Sequence, residues 1–235
     1  MKRYGPLLGA LCVALALSGC VGATAAAPVH HAAPDVMAHA IPTEAPPRPP
    51  RVDFLGDSLT WGLAATTPAQ SFAALVTDGV KGARTGYDGE FGNTAQLGAQ
   101  DLHEKPAPTG IDIFVIEWGT NDVQPPDVYQ ANYRFIVQTL RAANPSARIV
   151  CLRPWQDPNN GYQPAYWHAI QAECGASPAV AVDLAPLYLD MSLHGPGGSD
   201  TYRGPRDWFH PNDAGHAAVA QAILAALAPP RTPAG

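Results

Sequence analysis

The chain has 235 residues and a formal net charge of −6, and this length suits one domain with short appendages. Acidic residues outnumber basic residues, so the sequence indicates no basic surface, and we expect no nucleic-acid partner. The sequence contains no internal repeat, and it contains no apolar run long enough to span a membrane in a mature protein.

The N-terminus has the pattern of an export signal. Two basic residues precede the apolar run 7–17, which is too short for a stable transmembrane helix. The run leads into Leu-Ser-Gly-Cys20, which resembles a bacterial lipobox, where cleavage precedes a cysteine that receives lipid. We therefore predict a lipoprotein-type signal peptide over residues 1–19 and an extracytoplasmic protein anchored by lipid at Cys20. Plain secretion, with cleavage near Ala25, is the alternative.

The next segment, residues 20–50, is rich in Ala and Pro and poor in large apolar side chains. Such a segment buries too little surface to offset its ordering entropy, so we predict a disordered tether. A folded domain is predicted over residues 51–229, followed by a flexible tail at 230–235. We expect a monomer whose only membrane contact is the lipid anchor.

Within the domain, short apolar runs alternate with helical patterns. Strands are predicted at Val52–Leu55, Thr85–Phe91, Ile111–Ile116, Arg148–Leu152 and Val180–Val182. Helices are predicted at Ser71–Val76, Asp127–Ala143, Tyr166–Cys174 and Asn212–Leu227, with an irregular stretch over Leu184–Asp207. This alternation indicates five parallel strands in an α/β sandwich with right-handed crossovers.

Polar groups follow several of these strands. Ser58 ends the first strand, Asn121 follows the third, and Asp207 and His210 come after the fifth. Ligands of such sheets bind beyond the carboxyl ends of the strands, so these groups should meet at one edge. Gly-Asp-Ser is also an ordinary turn sequence, and the functional interpretation depends on the whole set.

These polar residues are of the types that a hydrolase with a serine nucleophile requires. Ser58 would be the nucleophile, activated by a base. His210 would take its proton and later return it to the leaving alcohol. Asp207 would hold the imidazole tautomer and stabilise its charged form. The domain contains no Gly-x-Ser-x-Gly elbow, no dinucleotide or phosphate loop and no zinc-ligand spacing.

Four motifs resemble, in order, the blocks of the SGNH (GDSL) hydrolase superfamily. They are Gly56-Asp-Ser-Leu, Gly92-Asn-Thr, Gly119-Thr-Asn-Asp and Asp207-Trp-Phe-His-Pro-Asn. The resemblance implies a flavodoxin-like three-layer α/β/α sandwich with strand order 2-1-3-4-5, and ester or thioester hydrolysis without a metal or other cofactor.

The same resemblance implies an oxyanion hole. Its donors would be the backbone N–H of Ser58, the N–H of Gly92 and the side-chain amide of Asn121. Glycine at position 92 has a physical reason, since a backbone N–H approaches substrate closely only where no side chain intervenes. Gly89 is a rival for this role.

Aromatic residues give the one indication of substrate. Side chains beside strand ends or motifs are hypothesised to bind it, namely Trp61, Trp118, Trp155 and Trp208; burial in the core is the alternative. Short loops without a lid favour a short acyl group such as acetyl, on a carbohydrate or aryl ester.

The remaining cysteines of the domain, Cys151 and Cys174, are expected either to form a disulfide in an oxidising compartment or to be two buried thiols. The sequence as a whole predicts an extracytoplasmic serine esterase acting on a small-molecule or glycan ester. An acyltransferase on an envelope glycan and a non-catalytic envelope binding protein are the alternatives.

Overall fold

The computed structural model describes residues 48–175 and 179–228. The predicted signal peptide at 1–19, the lipidation site Cys20, most of the predicted tether and the tail at 230–235 lie outside these residues.

Five parallel strands form the central sheet in the order β2-β1-β3-β4-β5. Their bounds are β1 Arg51–Gly56, β2 Ala83–Gly89, β3 Ile113–Glu117, β4 Arg148–Leu152 and β5 Ala179–Val182. This order and the parallel pairing confirm the predicted sandwich. Strand β3 lies in the middle and is buried along its length, as its β-branched and apolar sequence predicts for a strand covered on both faces.

Helices cover both faces of the sheet. Their bounds are α1 Phe72–Gly79, α2 Ala95–Glu104, α3 Pro126–Ala143, α4 Gln163–Cys174, α5 Ala185–Tyr188 and α6 Asp213–Leu227. Helices α2, α3 and α4 share one apolar cluster with Phe114 and Ile116, whereas α1 and α6 share the other with Ile113 and Val115. Successive side chains of β3 thus pack against the helices on opposite faces of the sheet. None of the described helices is both long and apolar enough to cross a membrane.

Helix α2 was not predicted from the sequence. Its buried face consists of the small residues Ala95, Gly98 and Ala99, which give little apolar periodicity. Gly98 is required here because a Cβ at that position would lie 2.4 Å from the Trp118 ring. Thr94 caps the helix by accepting from the backbone N–H of Leu97.

The irregular stretch after β5 contains more order than predicted. It includes α5, a 3₁₀ turn at Met191–Leu193, and a small antiparallel hairpin of β6 (Asp200–Thr201) and β7 (Gly204–Pro205). The hairpin is anchored by Arg206, which donates to Ala64 O at 2.9 Å and lies 3.4 Å from Asp213. The segment that leads to Asp207 is therefore fixed against the body of the domain.

Cys151 and Cys174 form a disulfide. It joins the end of β4 to the end of α4, and both residues are fully buried. Of the two arrangements that the sequence left open, the structure has the disulfide.

Candidate active site

Ser58 lies on a tight turn directly after β1. The strand ends at Gly56, and the chain folds back so that the N–H of Trp61 donates to Asp57 O and the N–H of Leu63 to Ser58 O, both at 2.9 Å. This turn presents the serine hydroxyl at the carboxyl edge of the sheet, where residues from several strands meet.

Ser58, His210 and Asp207 form a continuous hydrogen-bonded chain, although 152 positions separate Ser58 from His210. Ser58 Oγ lies 2.9 Å from His210 Nε2, and His210 Nδ1 lies 2.7 Å from Asp207 Oδ2. Because a carboxylate only accepts, we assign the ring hydrogen to Nδ1, which leaves Nε2 to accept from the serine hydroxyl. Both distances fall within the reach that general-base chemistry requires.

A local turn holds Asp207 in place. Its Oδ1 accepts from the backbone N–H of Phe209 at 2.9 Å and of His210 at 2.7 Å. Partial burial tends to raise the pKa of Asp207, but the hydrogen bonds from His210 and Phe209 outweigh it, so the pKa is lowered. Asp207 is therefore ionised at neutral pH, as a group that stabilises an imidazolium must be.

Asn212 fixes the chain just beyond His210. Its side chain accepts from the N–H of Gly215 and so caps α6, and it donates to the carbonyl oxygens of Ser192 and His194. The imidazole is thus held between two local turns, the Asp207 turn before it and the helix cap after it.

Gly92 has the geometry of a close-approach position. Its φ is +77°, and a Cβ built there would meet no atom within 4 Å. Among the described residues, neither the N–H of Gly92 nor that of Ser58 has a hydrogen-bond acceptor. Gly89, the rival, has another reason to be glycine, since a Cβ there would lie 2.7 Å from the backbone nitrogen of Trp61.

The amide of Asn121 is directed into the same edge of the sheet. Its Nδ2 donates to Asp57 Oδ2 at 3.2 Å and to Asn93 O at 3.1 Å. Both amide hydrogens are engaged, so an oxyanion stabilised by this group would share one of them with Asp57 or Asn93. The orientation of the amide is fixed as a consequence.

A pair of buried carboxyl groups lies beneath the nucleophile turn. Glu117, at the end of β3, is fully buried, and its Oε2 accepts from Asp57 N at 3.3 Å and from Thr60 Oγ1 at 3.2 Å. Its carboxyl group also interacts with the neighbouring Asp57 carboxyl. Gly56 makes room for this arrangement, because a Cβ there would lie 2.1 Å from Thr60 Oγ1.

The two carboxyl groups differ in their proton affinity. Burial raises the pKa of Asp57 to about 6. Burial, with the neighbouring Asp57 charge, raises the pKa of Glu117 well above its usual range. Both shifts favour the protonated forms of the two carboxyl groups over what exposed carboxyl groups would show. Glu117 was not identified from the sequence as part of the site. The signal that could have identified it is its place as the one acidic residue in an otherwise apolar, buried strand.

Asp122 has a scaffold role at the same edge. Its two oxygens lie 3.2 and 3.0 Å from the backbone nitrogen of Ala95, which donates at the start of α2. Burial raises the pKa of Asp122 to about 6.

The hypothesis that four tryptophans bind substrate is wrong for two of them. Trp118 is 1% exposed and Trp155 is 0% exposed, so both rings belong to the core and cannot form the wall of an open site. Trp155 Nε1 donates to Phe209 O at 2.9 Å and so supports the His210 segment from behind. Trp61 is partly buried, and Trp208 is 64% exposed.

Within the ranges 48–175 and 179–228, no cluster of His, Cys, Asp or Glu side chains has the geometry to hold a metal ion. The site is therefore described by the serine, the imidazole, the carboxylates and the hydrogen-bond donors alone.

Comparisons with known proteins agree with this geometry. The model of the GDSL-like lipase/acylhydrolase family matches residues 54–218, a range that includes Ser58, Gly92, Asn121 and the Asp207–His210 turn. The comparison with curated proteins gave no match.

Several solved structures share the fold. A two-domain esterase active on acetylated mannans is 23% identical with a TM-score of 0.58, covering 79% of this chain and 53% of that protein. An acetyl xylan esterase is 18% identical with a TM-score of 0.57, covering 76% of this chain and 100% of its own. A phospholipase A1 from Streptomyces albidoflavus is 16% identical with a TM-score of 0.56, covering 75% and 99%. At these identities the likeness shows the fold alone.

Proposed function

This chain belongs to the GDSL-like lipase/acylhydrolase family and is a carboxylic ester hydrolase, and on that premise we propose that it works through an acyl-enzyme on Ser58. The observation that carries the proposal is the hydrogen-bonded chain from Ser58 Oγ through His210 to Asp207, with distances of 2.9 and 2.7 Å.

In the first half-reaction, Ser58 Oγ attacks the ester carbonyl while its proton passes to His210 Nε2. Asp207 stabilises the imidazolium that forms. The carbonyl oxygen gains negative charge and is stabilised by the N–H groups of Ser58 and Gly92 and by the Asn121 amide. The intermediate collapses when the bond to the alcohol oxygen breaks, and His210 returns the proton to that oxygen.

In the second half-reaction, water replaces the alcohol. His210 takes a proton from water as it attacks the acyl-enzyme, and the same donors stabilise the second oxyanion. The second intermediate collapses when the bond from the acyl carbon to Ser58 Oγ breaks, and His210 returns the proton to that oxygen as the carboxylic acid leaves. Each proton taken is returned, so no cofactor enters the balance.

We propose that the acyl group is short, with acetyl on a carbohydrate or aryl alcohol as the leading substrate. The support is that solved relatives of the same fold include an esterase active on acetylated mannans and an acetyl xylan esterase.

The test compares acetyl and octanoyl nitrophenyl esters with the purified protein and with its Ser58→Ala variant. Faster turnover of the acetyl ester is expected, with loss of activity in the variant. Faster octanoyl hydrolysis would overturn the short-chain assignment, and equal rates in the two proteins would overturn the nucleophile. Product analysis with an added methyl glycoside distinguishes hydrolysis from acyl transfer.

We further propose that the protein acts as a monomer outside the cytoplasm, anchored through lipid at Cys20. The N-terminal sequence pattern supports this proposal, and the Cys151–Cys174 disulfide suits an oxidising compartment. Labelled palmitate should enter the wild-type protein in a bacterial host and not the Cys20→Ala variant; equal labelling would reject this anchor.

A further inference from the structure

A cavity of about 570 Å³ is lined in part by the turn that carries Ser58. Its wall includes Thr60 and Trp61, from the turn that carries Ser58, and Tyr202 and Arg203, from the hairpin that leads to Asp207. The wall therefore includes residues two and three positions after Ser58 and residues four and five positions before Asp207. The volume suits a small-molecule group.

The tip of the β6–β7 hairpin closes one side of the cavity. Tyr202 Oη donates to Trp61 O at 3.0 Å. The contact is possible because residue 62 is glycine, where a Cβ would lie 2.1 Å from Tyr202 Oη. The hairpin tip is thus fitted to the nucleophile turn.

Arg203 is held at this tip by aromatic rings. Its guanidinium carbon lies 4.3 Å from the centre of the Trp61 ring and 4.9 Å from that of Tyr202. These cation–π contacts fix the position of the guanidinium. None of the described residues accepts a hydrogen bond from it, and its Nε is buried without a partner.

Arg203 differs in this respect from other arginines of the domain. Guanidinium groups that donate hydrogen bonds to described residues are those of Arg48, Arg51, Arg134, Arg148, Arg153 and Arg206. A guanidinium held in place with its donors unused presents a planar fork, and that fork matches a carboxylate.

Arg84 and Asp78 also line the cavity, and Arg84 has an interaction of its own. Arg203 therefore carries the argument for an anionic ligand, and a single guanidinium matches one carboxylate in charge and in geometry.

We propose that this cavity binds a carboxylate on the alcohol half of the ester, such as that of an acetylated uronic acid. The inference rests on the proposed function, with the acyl group on Ser58 and the alcohol half extending along the turn from Ser58 toward Trp61 and Arg203. Ser58 and Trp61 are three residues apart in that turn.

Binding is measured with the Ser58→Ala protein and three matched ligands, methyl galacturonoside, methyl galactoside and methyl galactoside 6-phosphate. We expect the uronate to bind roughly 10- to 100-fold more tightly than the neutral sugar, the usual effect of a charge-assisted hydrogen bond. Equal affinities would overturn the inference, and tighter binding of the phosphate would overturn the carboxylate assignment.

Kinetics test the role of Arg203 in the active protein. The ratio of kcat/KM for O-acetylated uronate to that for O-acetylated galactoside should fall at least about tenfold in Arg203→Gln. Arg203→Lys, which keeps the charge and loses the planar fork, should retain part of the preference. The matched control Arg134→Gln, in an ion pair with Glu173 on α3 and α4, should leave the ratio unchanged.

A fall of both rates by the same factor in Arg203→Gln would show a purely structural role and overturn the inference. Turnover of 4-nitrophenyl acetate by the wild-type protein reports on the proposed function separately. Its absence would reject the esterase mechanism, whereas its presence without a uronate preference would reject only the subsite.

Discussion

Asn121 Nδ2 donates to Asp57 Oδ2 at 3.2 Å, so the residue next to the nucleophile orients an amide that arrives from a different strand. The hydrogen bond fixes which end of the amide faces the site. It also links the turn that carries Ser58 to the loop after β3.

Replacement of this amide should affect the chemical step. In Asn121→Ala, kcat is expected to fall about 10²–10³-fold with little change in KM, because an oxyanion donor acts in the transition state. Steady-state kinetics on a nitrophenyl ester measure this. Asn160→Ala, on an exposed turn, is the control, and a loss confined to KM would contradict the assigned role.

Asp207→Asn should lower kcat by about 10⁴-fold, as loss of the orienting carboxylate does in serine hydrolases. An amide at this position no longer stabilises the imidazolium and no longer selects the ring tautomer. The exposed Asp190, which caps the 3₁₀ turn, provides the control variant Asp190→Asn. A decrease of less than tenfold in Asp207→Asn would remove Asp207 from the mechanism.

Glu117→Gln should change how stability depends on pH. Because burial raises the pKa of Glu117, its contribution is fully present below the unfolded value of 4.5 and is lost as pH rises through the folded pKa. Glutamine loses no proton, so the stability of the variant relative to wild type should increase with pH.

Between the unfolded value of 4.5 and the folded pKa of Glu117, this increase should approach about 1.4 kcal/mol per pH unit, and it should level off above the folded pKa. Urea unfolding between pH 5 and 9 measures it, with the exposed Glu104→Gln as the control. Parallel curves for wild type and Glu117→Gln would show that the pKa of Glu117 is not raised in the folded protein.

His216 should make the fold sensitive to acid. Its ring is fully buried, with Nδ1 accepting from Phe72 N and Nε2 donating to Leu63 O, and burial lowers its pKa to about 4. A depressed pKa gives stability that is present above the unfolded value of 6.5 and is lost as pH falls toward 4.

The loss attributable to His216 amounts to about 3 kcal/mol between these limits. In His216→Gln, the free energy of unfolding should vary less over the same interval, whereas the exposed His168→Gln should follow wild type. An unchanged slope in His216→Gln would contradict a neutral buried imidazole.

Removal of the disulfide should lower stability without altering the site. The double variant Cys151→Ala/Cys174→Ala is expected to lose about 3 kcal/mol of unfolding free energy, as for other loops of this size, with KM retained at 25 °C. Reductant should bring wild type to a similar stability and leave the variant unaffected. If reductant does not change wild type, the bond does not contribute.

The central strands were predictable from the sequence because they are buried on both faces. Strand β4 was predicted with the bounds Arg148–Leu152 that it has, and β1 and β3 within two residues. Helix α2 was missed because small residues form its buried face. Hydrophobic periodicity detects large apolar side chains, and it is weak where a helix packs through Ala and Gly.

The hydrogen-bonded chain was predictable because each member lies in a motif, Ser58 directly after β1 and Asp207 and His210 just before α6. Glu117 was missed because it precedes its motif and belongs to a strand that is otherwise apolar. The errors at Trp118 and Trp155 have a different cause. Position beside a strand end does not determine whether a ring turns toward the open edge or into the packed layer behind it.

The long separation between Ser58 and His210 has a consequence for synthesis. The chain emerges N-terminus first, so the nucleophile turn and the sheet are made well before the imidazole that activates them. A chain interrupted before Asp207 would lack both residues that the proposed mechanism uses to activate Ser58, and we expect it to be inert toward esters. On that mechanism, activity reports that synthesis has passed His210 and that the two ends of the domain have folded together.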